Sequence, residues 1–212
     1  KDESSQGTST VTRLNAGGSV KLGAKNDLTL VGAEVDADRN ITLKAANDLK
    51  ILSAQNVSNS ENTRRNWGAE GGLIAGKDGF GIYGSASYGT GNLKRDGVHQ
   101  QEAYLYAGNS LNFESGRDTT IAGATLRADE VIGEVGRDLT VISVPDTGKV
   151  NGKELDLSIT GSFYGASGSV GYGRTTGQTN WVESQTVISG MSKVDIRTEK
   201  HTQIDGAVLS AE

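Results

Sequence analysis

The 212-residue chain has no cysteine and a single proline. Without cysteine it can form neither disulfides nor thiolate metal sites. The absence has two readings: it carries no information, or it suits a chain exported unfolded through an oxidising compartment. No apolar run approaches the roughly 20 residues that a membrane-spanning helix needs. Lys1 is not an initiator residue and no signal peptide follows it, so we expect a segment of a longer protein.

Apolar residues are also scarce, and positive charge is not concentrated anywhere. Hydrophobic residues make up 34% of the chain, which also has 30 glycines, and the formal net charge is −5. A narrow core built from thin layers fits this composition better than a globular core does. Because no basic stripe gathers the 21 Lys and Arg residues, the sequence predicts no nucleic-acid partner.

What the chain does contain is repetition on two length scales. The segment 32–38, GAEVDAD, returns at 123–129 as GATLRAD and at 206–212 as GAVLSAE. A shorter unit lies inside this long one, because Leu28 and its neighbours match Leu49 and its neighbours at a spacing of 21 residues. A short repeat that superimposes one strand on the next is typical of a solenoid.

Within the short unit, apolar and polar residues alternate with a period of two, and small or Asx residues separate the bursts. Three strands and three corners in 20–21 residues predict an all-β fold, a triangular parallel β-helix, with coils at about 15–58, 105–143 and 188–212. The predicted inward-facing core residues are Val20, Leu22, Leu28, Leu30, Ile41, Leu43, Leu49, Ile51, Ile121, Leu139, Val141, Ile196 and Ile204.

Four aspartates fall at equivalent corners of the predicted coils: Asp27, Asp48, Asp118 and Asp138. A column of carboxylates is one way to hold Ca²⁺. The alternative is that each aspartate turns the corner by hydrogen bonding to its own backbone. The tandem Gly-Gly-x-Gly-x-Asp units of calcium-binding β-rolls do not occur, which favours the second interpretation.

Two stretches, about 59–104 and 144–187, leave the coil pattern and alternate glycine or serine with aromatic residues. We interpret both as long β-hairpins that project from the solenoid. They either cover the solenoid, with glycine allowing close approach, or contact a membrane or partner as outer-membrane strands do. The candidate contact residues are Trp67, Phe80, Tyr83, Tyr88, Phe163, Tyr164, Tyr172 and Trp181.

The sequence offers no recognisable catalytic chemistry. The two histidines, His99 and His201, have no cysteine, histidine or glutamate at metal-ligand spacing, and His201 occupies a corner slot. The glycine runs lack the Gly-Lys-Ser/Thr of a phosphate-binding loop. No pair of carboxylates stands apart from the repeat, as a β-helical glycoside hydrolase would need. We therefore predict no catalytic, cofactor-binding or metal-binding residue, no cofactor, and no enzyme activity.

The order in which predicted coils and excursions alternate along the chain resembles that of a known family. Gly17-Gly18-Ser19-Val20-Lys21-Leu22, Gly136-Arg137-Asp138-Leu139-Thr140-Val141 and the ending 200–209, KHTQIDGAVL, are similar to haemagglutinin repeats. Such repeats occur in the filamentous-haemagglutinin exoproteins of two-partner secretion. The Gly-rich excursions most resemble the second repeat block of contact-dependent growth inhibition toxins of the CdiA type.

This resemblance implies a function that the residues alone do not. It implies a piece of a long rod at the surface of a Gram-negative bacterium, secreted by an outer-membrane two-partner-secretion transporter that reads a region outside this chain. The expected role is to help deliver a C-terminal toxin across a neighbouring cell's outer membrane, with that membrane or a surface receptor as partner and more of the same chain at both ends. The alternative is an adhesin stalk that binds host or bacterial surfaces.

Overall fold

The computed structural model describes residues 2–7, 12–76, 79–162 and 165–211, without the side chains of 2, 74–76 and 79–80. These ranges contain nineteen β-strands, numbered β1 to β19 in chain order, and no helix. Contacts divide the chain into two units. One comprises 1–6, 57–97 and 147–179, and the other comprises 7–56, 98–146 and 180–212.

The second unit is a parallel β-helix with three columns of strands. The first column holds β2 (Arg13–Ala16), β5 (Glu34–Ala37), β10 (Ala103–Ala107), the starts of β13 (Ala124–Val135) and β17 (Val187–Thr198), and β19 (Val208–Ala211). The second holds β3 (Val20–Ala24), β6 (Asn40–Ala45), β11 (Ser110–Ser115) and the ends of β13 and β17. The third holds β4 (Leu28–Val31), β7 (Leu49–Leu52), β12 (Thr119–Ala122), β14 (Leu139–Ile142) and β18 (Thr202–Asp205). Each coil places one strand in each column, which confirms the predicted triangular solenoid.

The other unit is a five-stranded sheet, and residues 54–56, 98–101, 146 and 180–181 at the ends of its long strands belong to the β-helical unit. Its strands are β1 (Asp2–Gly7), β8 (Ala54–Gly76), β9 (Gly79–Gln101), β15 (Asp146–Ser162) and β16 (Gly165–Trp181), and they neighbour one another in that order.

The core of the β-helix consists of aliphatic ladders that run from coil to coil. In the third column Leu30, Ile51, Ile121, Val141 and Ile204 occupy matched positions. Most of the residues expected in the core are buried: Val20, Ile41, Leu43, Leu49, Ile51, Ile121, Leu139 and Val141. Four others, Leu22, Leu28, Leu30 and Ile196, are half-buried and pack against this core.

Ile204 corrects the expected core, because it is 45% exposed. Its strand, β18, is the outermost strand of the third column and pairs only with β14. A side chain in this column is covered from above and below by the neighbouring coils, and Ile204 has such a cover on one side only.

Glycine shapes the corner between the third and first columns. Gly32, Gly123 and Gly206 have φ of 54°, 65° and 62°, in the left-handed region that glycine adopts without steric cost. All three start the long-repeat motif, GA followed by a first-column strand. The motif found in the sequence is therefore the corner of an uninterrupted coil.

The same corner is where the long excursions begin and end. The chain leaves after β7 and re-enters at β10, and it leaves again after β14 and re-enters at β17. At the second interruption the buried Thr186 bridges two backbone groups that are also in direct contact, the Gly123 N–H and the Ile142 carbonyl at 3.2 Å. Its Oγ1 accepts from the Gly123 N–H at 2.9 Å and donates to the Ile142 carbonyl at 2.7 Å. The Thr186 hydroxyl therefore reinforces the backbone pairing where the chain re-enters the coil.

The corner aspartates form a ladder between coils, which corrects the expectation that each bonds its own backbone. The carboxylates of Asp27, Asp48, Asp118 and Asp138 each accept a hydrogen bond from the backbone N–H of the equivalent residue one coil later, at 3.1–3.3 Å. Arg117 and Arg137 add bidentate pairs to Asp48 and Asp118. His201, at the corner slot as expected, lies with its Nδ1 3.0 Å from Asp138, and this hydrogen bond lowers the pKa of Asp138.

We predict that Leu49→Asp unfolds the coils around it and Thr29→Asp does not. Leu49 is fully buried, so the substitution buries an unpaired charge, a change that costs upwards of about 4 kcal/mol. Thr29 is exposed and lies opposite Lys50, which would pair with the new carboxylate. Urea unfolding followed by circular dichroism measures both, and equal damage from the two would contradict the register.

We predict that Asp118→Ala lowers the free energy of unfolding by about 1–2 kcal/mol, because it removes a bidentate arginine pair and the partner of a backbone N–H. Asp27→Ala is the matched control, since within the described part of the chain the Asp27 carboxylate accepts the Asp48 N–H and pairs with no arginine. Its expected cost is smaller. A larger loss from Asp27→Ala than from Asp118→Ala would show that the ladder is not what holds the corner.

We predict that Glu102→Gln stabilises the β-helix at neutral pH. One Glu102 carboxylate oxygen is buried without a hydrogen-bond partner, and burial raises the pKa of Glu102 above its ordinary value of 4.5, against a lowering contribution from the Thr125 hydroxyl. A raised folded-state pKa means that ionised Glu102 destabilises the fold increasingly as pH rises through that pKa. The gain, below about 1 kcal/mol because solvent screens the partly exposed group, should shrink towards pH 4.5 in urea titrations. A gain that grows on acidification would contradict this.

Candidate functional site

Four neighbouring strands of the sheet, β8, β9, β15 and β16, run antiparallel to one another, and side-chain contacts fix their register. A Cβ at Gly72 would meet the Tyr83 ring, and one at Gly68 would meet Ser87. Residue numbers thus rise along β8 as they fall along β9. The same opposition relates β9 to β15, where Gly89 lies against Asp156, and β15 to β16, where Ser158 and Ser169 join hydroxyls at 2.7 Å.

One surface of this sheet, the glycine face, consists mostly of small and polar residues, with Tyr83 and Leu93 among them. Gly89, Gly91, Gly152, Gly171 and Gly173 all lie on it. Because Gly91 has no side chain, Arg64 on β8 reaches across β9 to pair with Glu154 on β15, and Asp156 lies 3.8 Å from the same guanidinium. Side chains from neighbouring strands therefore cross the glycine face, Arg64 above Gly91 and Tyr83 above Gly72.

The opposite surface, which we call the apolar face, carries large hydrophobic side chains exposed to solvent. The alternation of the four strands places nine of them there: Trp67, Leu73, Ile82, Tyr88, Leu155, Leu157, Ile159, Val170 and Tyr172. Trp67 is the most exposed, at 83%, and the least exposed are still 40% accessible. Contiguous exposed apolar surface of this kind marks a contact site on soluble proteins.

The register arranges this face in rows. Since 68 opposes 87, 89 opposes 156 and 171 lies against 156, the row next to them joins Trp67, Tyr88, Leu157 and Val170 across four strands. The following row holds Arg65, Thr90, Leu155 and Tyr172, and the one after that holds Lys153 and Arg174.

A basic border thus limits the apolar face on one side. Arg65, Lys153 and Arg174 are all exposed there. Aromatic side chains beside basic ones suit an interface between an apolar layer and anionic groups.

A second constellation lies in the β-helical unit. His99, Asp146 and Glu183 each place a ligand atom within 4.8 Å of the others. Asp146 is buried, and its Oδ1 accepts the Gln100 N–H at 2.6 Å. The ring of Trp181 meets that of His99 edge-on, with centroids 5.9 Å apart.

Because the described residues contain no helix, none of them forms one that is long and apolar enough to cross a membrane.

A family model for the hemagglutinin repeat matches residues 1–157. This chain belongs to the hemagglutinin repeat family. Among its relatives, the toxin CdiA of Yersinia pestis is 30% identical over 206 residues, covering 93% of this chain and 6% of that protein. The deoxyribonuclease CdiA of Yersinia pseudotuberculosis serotype O:3 (strain YPIII) is 30% identical, with 93% and 19% covered. The tRNA nuclease CdiA of Escherichia coli (strain NC101) is 31% identical, with 93% and 7% covered.

This hemagglutinin-repeat chain therefore spans between 6 and 19% of the length of these three relatives. The predicted resemblance to the repeat region of CdiA-type exoproteins is confirmed. No solved structure matches the chain at a significant level.

The structure separates the aromatic residues singled out in the sequence. Trp67, Tyr88 and Tyr172 lie on the apolar face, whereas Tyr83 packs over Gly72 on the glycine face. Trp181 belongs to the β-helical unit. The side chain of Phe80, and Phe163 and Tyr164 altogether, lie outside the described residues.

Sequence reasoning missed the aliphatic part of the apolar face. Leu155, Leu157 and Ile159 repeat with a period of two, a strand signal that is visible in the sequence without any aromatic residue. It also missed the cluster of His99, Asp146 and Glu183, whose members are 47 and 37 residues apart (146 − 99 and 183 − 146). No local spacing rule finds ligands at such distances.

Proposed function

We propose that this chain is a delivery segment of a large secreted exoprotein, in which the apolar face of the five-stranded sheet contacts the outer membrane of a neighbouring cell and helps a toxin carried by the same exoprotein to cross it. The apolar face is the observation that supports this proposal. Nine exposed hydrophobic side chains on one surface, bordered by basic residues, suit the boundary between acyl chains and anionic headgroups.

Family membership supports the part of this proposal that places the chain within a large toxin-carrying exoprotein. Relatives that match nearly the whole chain carry the names toxin, deoxyribonuclease and tRNA nuclease CdiA. In our proposal the chain contributes no catalysis: the β-helical unit supplies the rod, the sheet supplies the membrane contact, and any nuclease activity lies elsewhere in the exoprotein. The coils and excursions inferred from the sequence correspond in this proposal to those two units. Export through a two-partner-secretion transporter to the surface of a Gram-negative cell belongs to the same proposal.

We predict that the chain floats with liposomes of outer-membrane composition, phosphatidylethanolamine with lipopolysaccharide, and that the triple variant Trp67→Ser, Tyr88→Ser, Leu157→Ser does not. The three side chains come from three strands of one row and none is part of the buried core, so the variant loses contacts within the apolar face but no core packing. Their transfer into an apolar layer contributes more than about 1.4 kcal/mol, so the membrane-partition constant should fall at least about tenfold.

Two controls sharpen this experiment. Tyr83→Ser removes the same kind of side chain as Tyr88→Ser from the same strand, but from the glycine face, and should leave flotation unchanged. Replacing Arg65, Lys153 and Arg174 with glutamine should weaken flotation at low salt, because it removes the attraction to lipid phosphates. Flotation that is absent in the parent, or equal in the triple variant and the parent, would refute the membrane role. Binding of such a chain to intact cells would then favour the adhesin alternative.

The same triple variant, placed in the full-length exoprotein, tests delivery itself. We expect it to be displayed on the producing cell at the normal level but to lose inhibition of neighbouring cells in co-culture. Normal inhibition by the variant would show that the apolar face is not needed for delivery.

A further inference from the structure

The geometry points to a divalent transition-metal site, of the kind that takes Zn²⁺, formed by His99, Asp146 and Glu183 in the β-helical unit. The site is independent of the apolar face and of the proposed function.

Asp146 carries the strongest indication. The residue is 2% exposed, and within the described chain its Oδ2 is one of two buried side-chain oxygens without a hydrogen-bond partner. A buried carboxylate oxygen without a hydrogen-bond partner costs free energy, and a cation bound to it would offset that cost. The Oδ1 atom is already engaged, because it accepts the Gln100 N–H at 2.6 Å. That bond orients the carboxylate and leaves Oδ2 as the free ligand atom.

His99 is placed to share an ion with this oxygen. Its Nδ1 lies 3.5 Å from Asp146 Oδ2, too far for a good hydrogen bond. Two ligands of a tetrahedral zinc ion, each about 2.0–2.1 Å from the metal, are separated by about 3.4 Å. The observed distance therefore fits two ligands of one ion better than a direct contact between them.

Glu183 completes the set from a third segment of the chain. Its carboxylate lies within 4.8 Å of the other two ligand atoms, and both Glu183 and His99 are exposed, so small rotations of these side chains bring them to coordination distance. The Trp181 ring, edge-on to His99, and the Gln100 N–H on Asp146 act as the outer contacts that orient metal ligands.

The donor atoms decide the class of ion. One imidazole nitrogen and two carboxylates suit Zn²⁺ and its first-row neighbours, and leave a position open for water. Ca²⁺ requires six to eight oxygen ligands, and Mg²⁺ prefers oxygen ligands and keeps its own water. We therefore expect selectivity for Zn²⁺ over both.

Binding would tie together three segments that are distant in sequence. His99 lies near the end of β9, Asp146 opens β15, and Glu183 follows β16. A metal that binds only the folded arrangement raises its thermal stability by mass action.

Calorimetric titration of the untagged, chelator-treated chain with ZnCl₂ tests the site. We expect one Zn²⁺ per chain, an increase in melting temperature with Zn²⁺, and neither effect with MgCl₂ or CaCl₂ at the same concentration. His99→Gln and Glu183→Gln change exposed side chains and should fold normally, yet each should weaken binding by more than about tenfold, since loss of even an outer contact costs this much. Asp146→Asn should do the same where it folds.

His201→Gln is the matched control, because His201 is also an exposed histidine beside an aspartate, Asp138 at 3.0 Å, and lies outside the cluster. It should bind Zn²⁺ like the parent. Absence of binding by the parent, or parent-like binding by both His99→Gln and Glu183→Gln, would overturn the site.

Fluorescence gives a second readout, which reports where the ion binds. In a Trp67→Phe background Trp181 is the remaining tryptophan, and Co²⁺ bound at His99 should quench it, because their rings are 5.9 Å apart. His99→Gln should abolish the quenching and His201→Gln should not. Equal quenching in both variants would place the ion elsewhere.

Discussion

In-register stacking of one coil on the next is the constraint on which the β-helical unit depends. Each strand buries a single face, so the interior is a set of narrow ladders rather than a broad core. The ladder from Leu30 through Ile51, Ile121 and Val141 to Ile204 shows the consequence: burial is complete in the middle and falls towards its two outer strands. A residue's stability contribution is thus set by the coils next to it more than by its own type.

The same constraint explains the polar corners. The N–H at each aspartate corner points along the stack, so its partner must come from the neighbouring coil. The carboxylates of Asp48 and Asp118 meet this need and, at the same time, the guanidinium of an arginine from the following coil. A carboxylate that already accepts these bonds has little capacity left for Ca²⁺, which is why the column works as a structural ladder. Glycine with positive φ completes the third corner wherever the coil runs on without interruption.

How much of this the sequence predicts depends on whether the signal is local. The strand alternation, the 21-residue spacing and the corner aspartates are local and repeated, and they predict the coil down to inward positions such as Leu49 and Ile121. The partner of each aspartate was not predictable, because a one-coil offset is visible only after stacking. Ile204 follows the same period-two alternation and was therefore expected to face inward. The alternation does not show whether a second coil covers it. The cluster of His99, Asp146 and Glu183 is assembled by topology alone.

The excursions escape the stacking constraint, and this freedom explains why they differ so much from the coils. The coil resumes in register after both insertions, because Tyr104 pairs with Glu34 after the first and Val187 pairs with Thr125 after the second. Stacking therefore places no limit on the residues inserted between β7 and β10 or between β14 and β17. Loop-closure cost grows only slowly with length, so long insertions are tolerated. Residues there are free to form a sheet with one glycine face and one exposed apolar face, a composition that no coil could hold. Contact surfaces and ligand clusters are therefore expected in the insertions and at the corner where they begin and end. His99 and Asp146 lie at that corner.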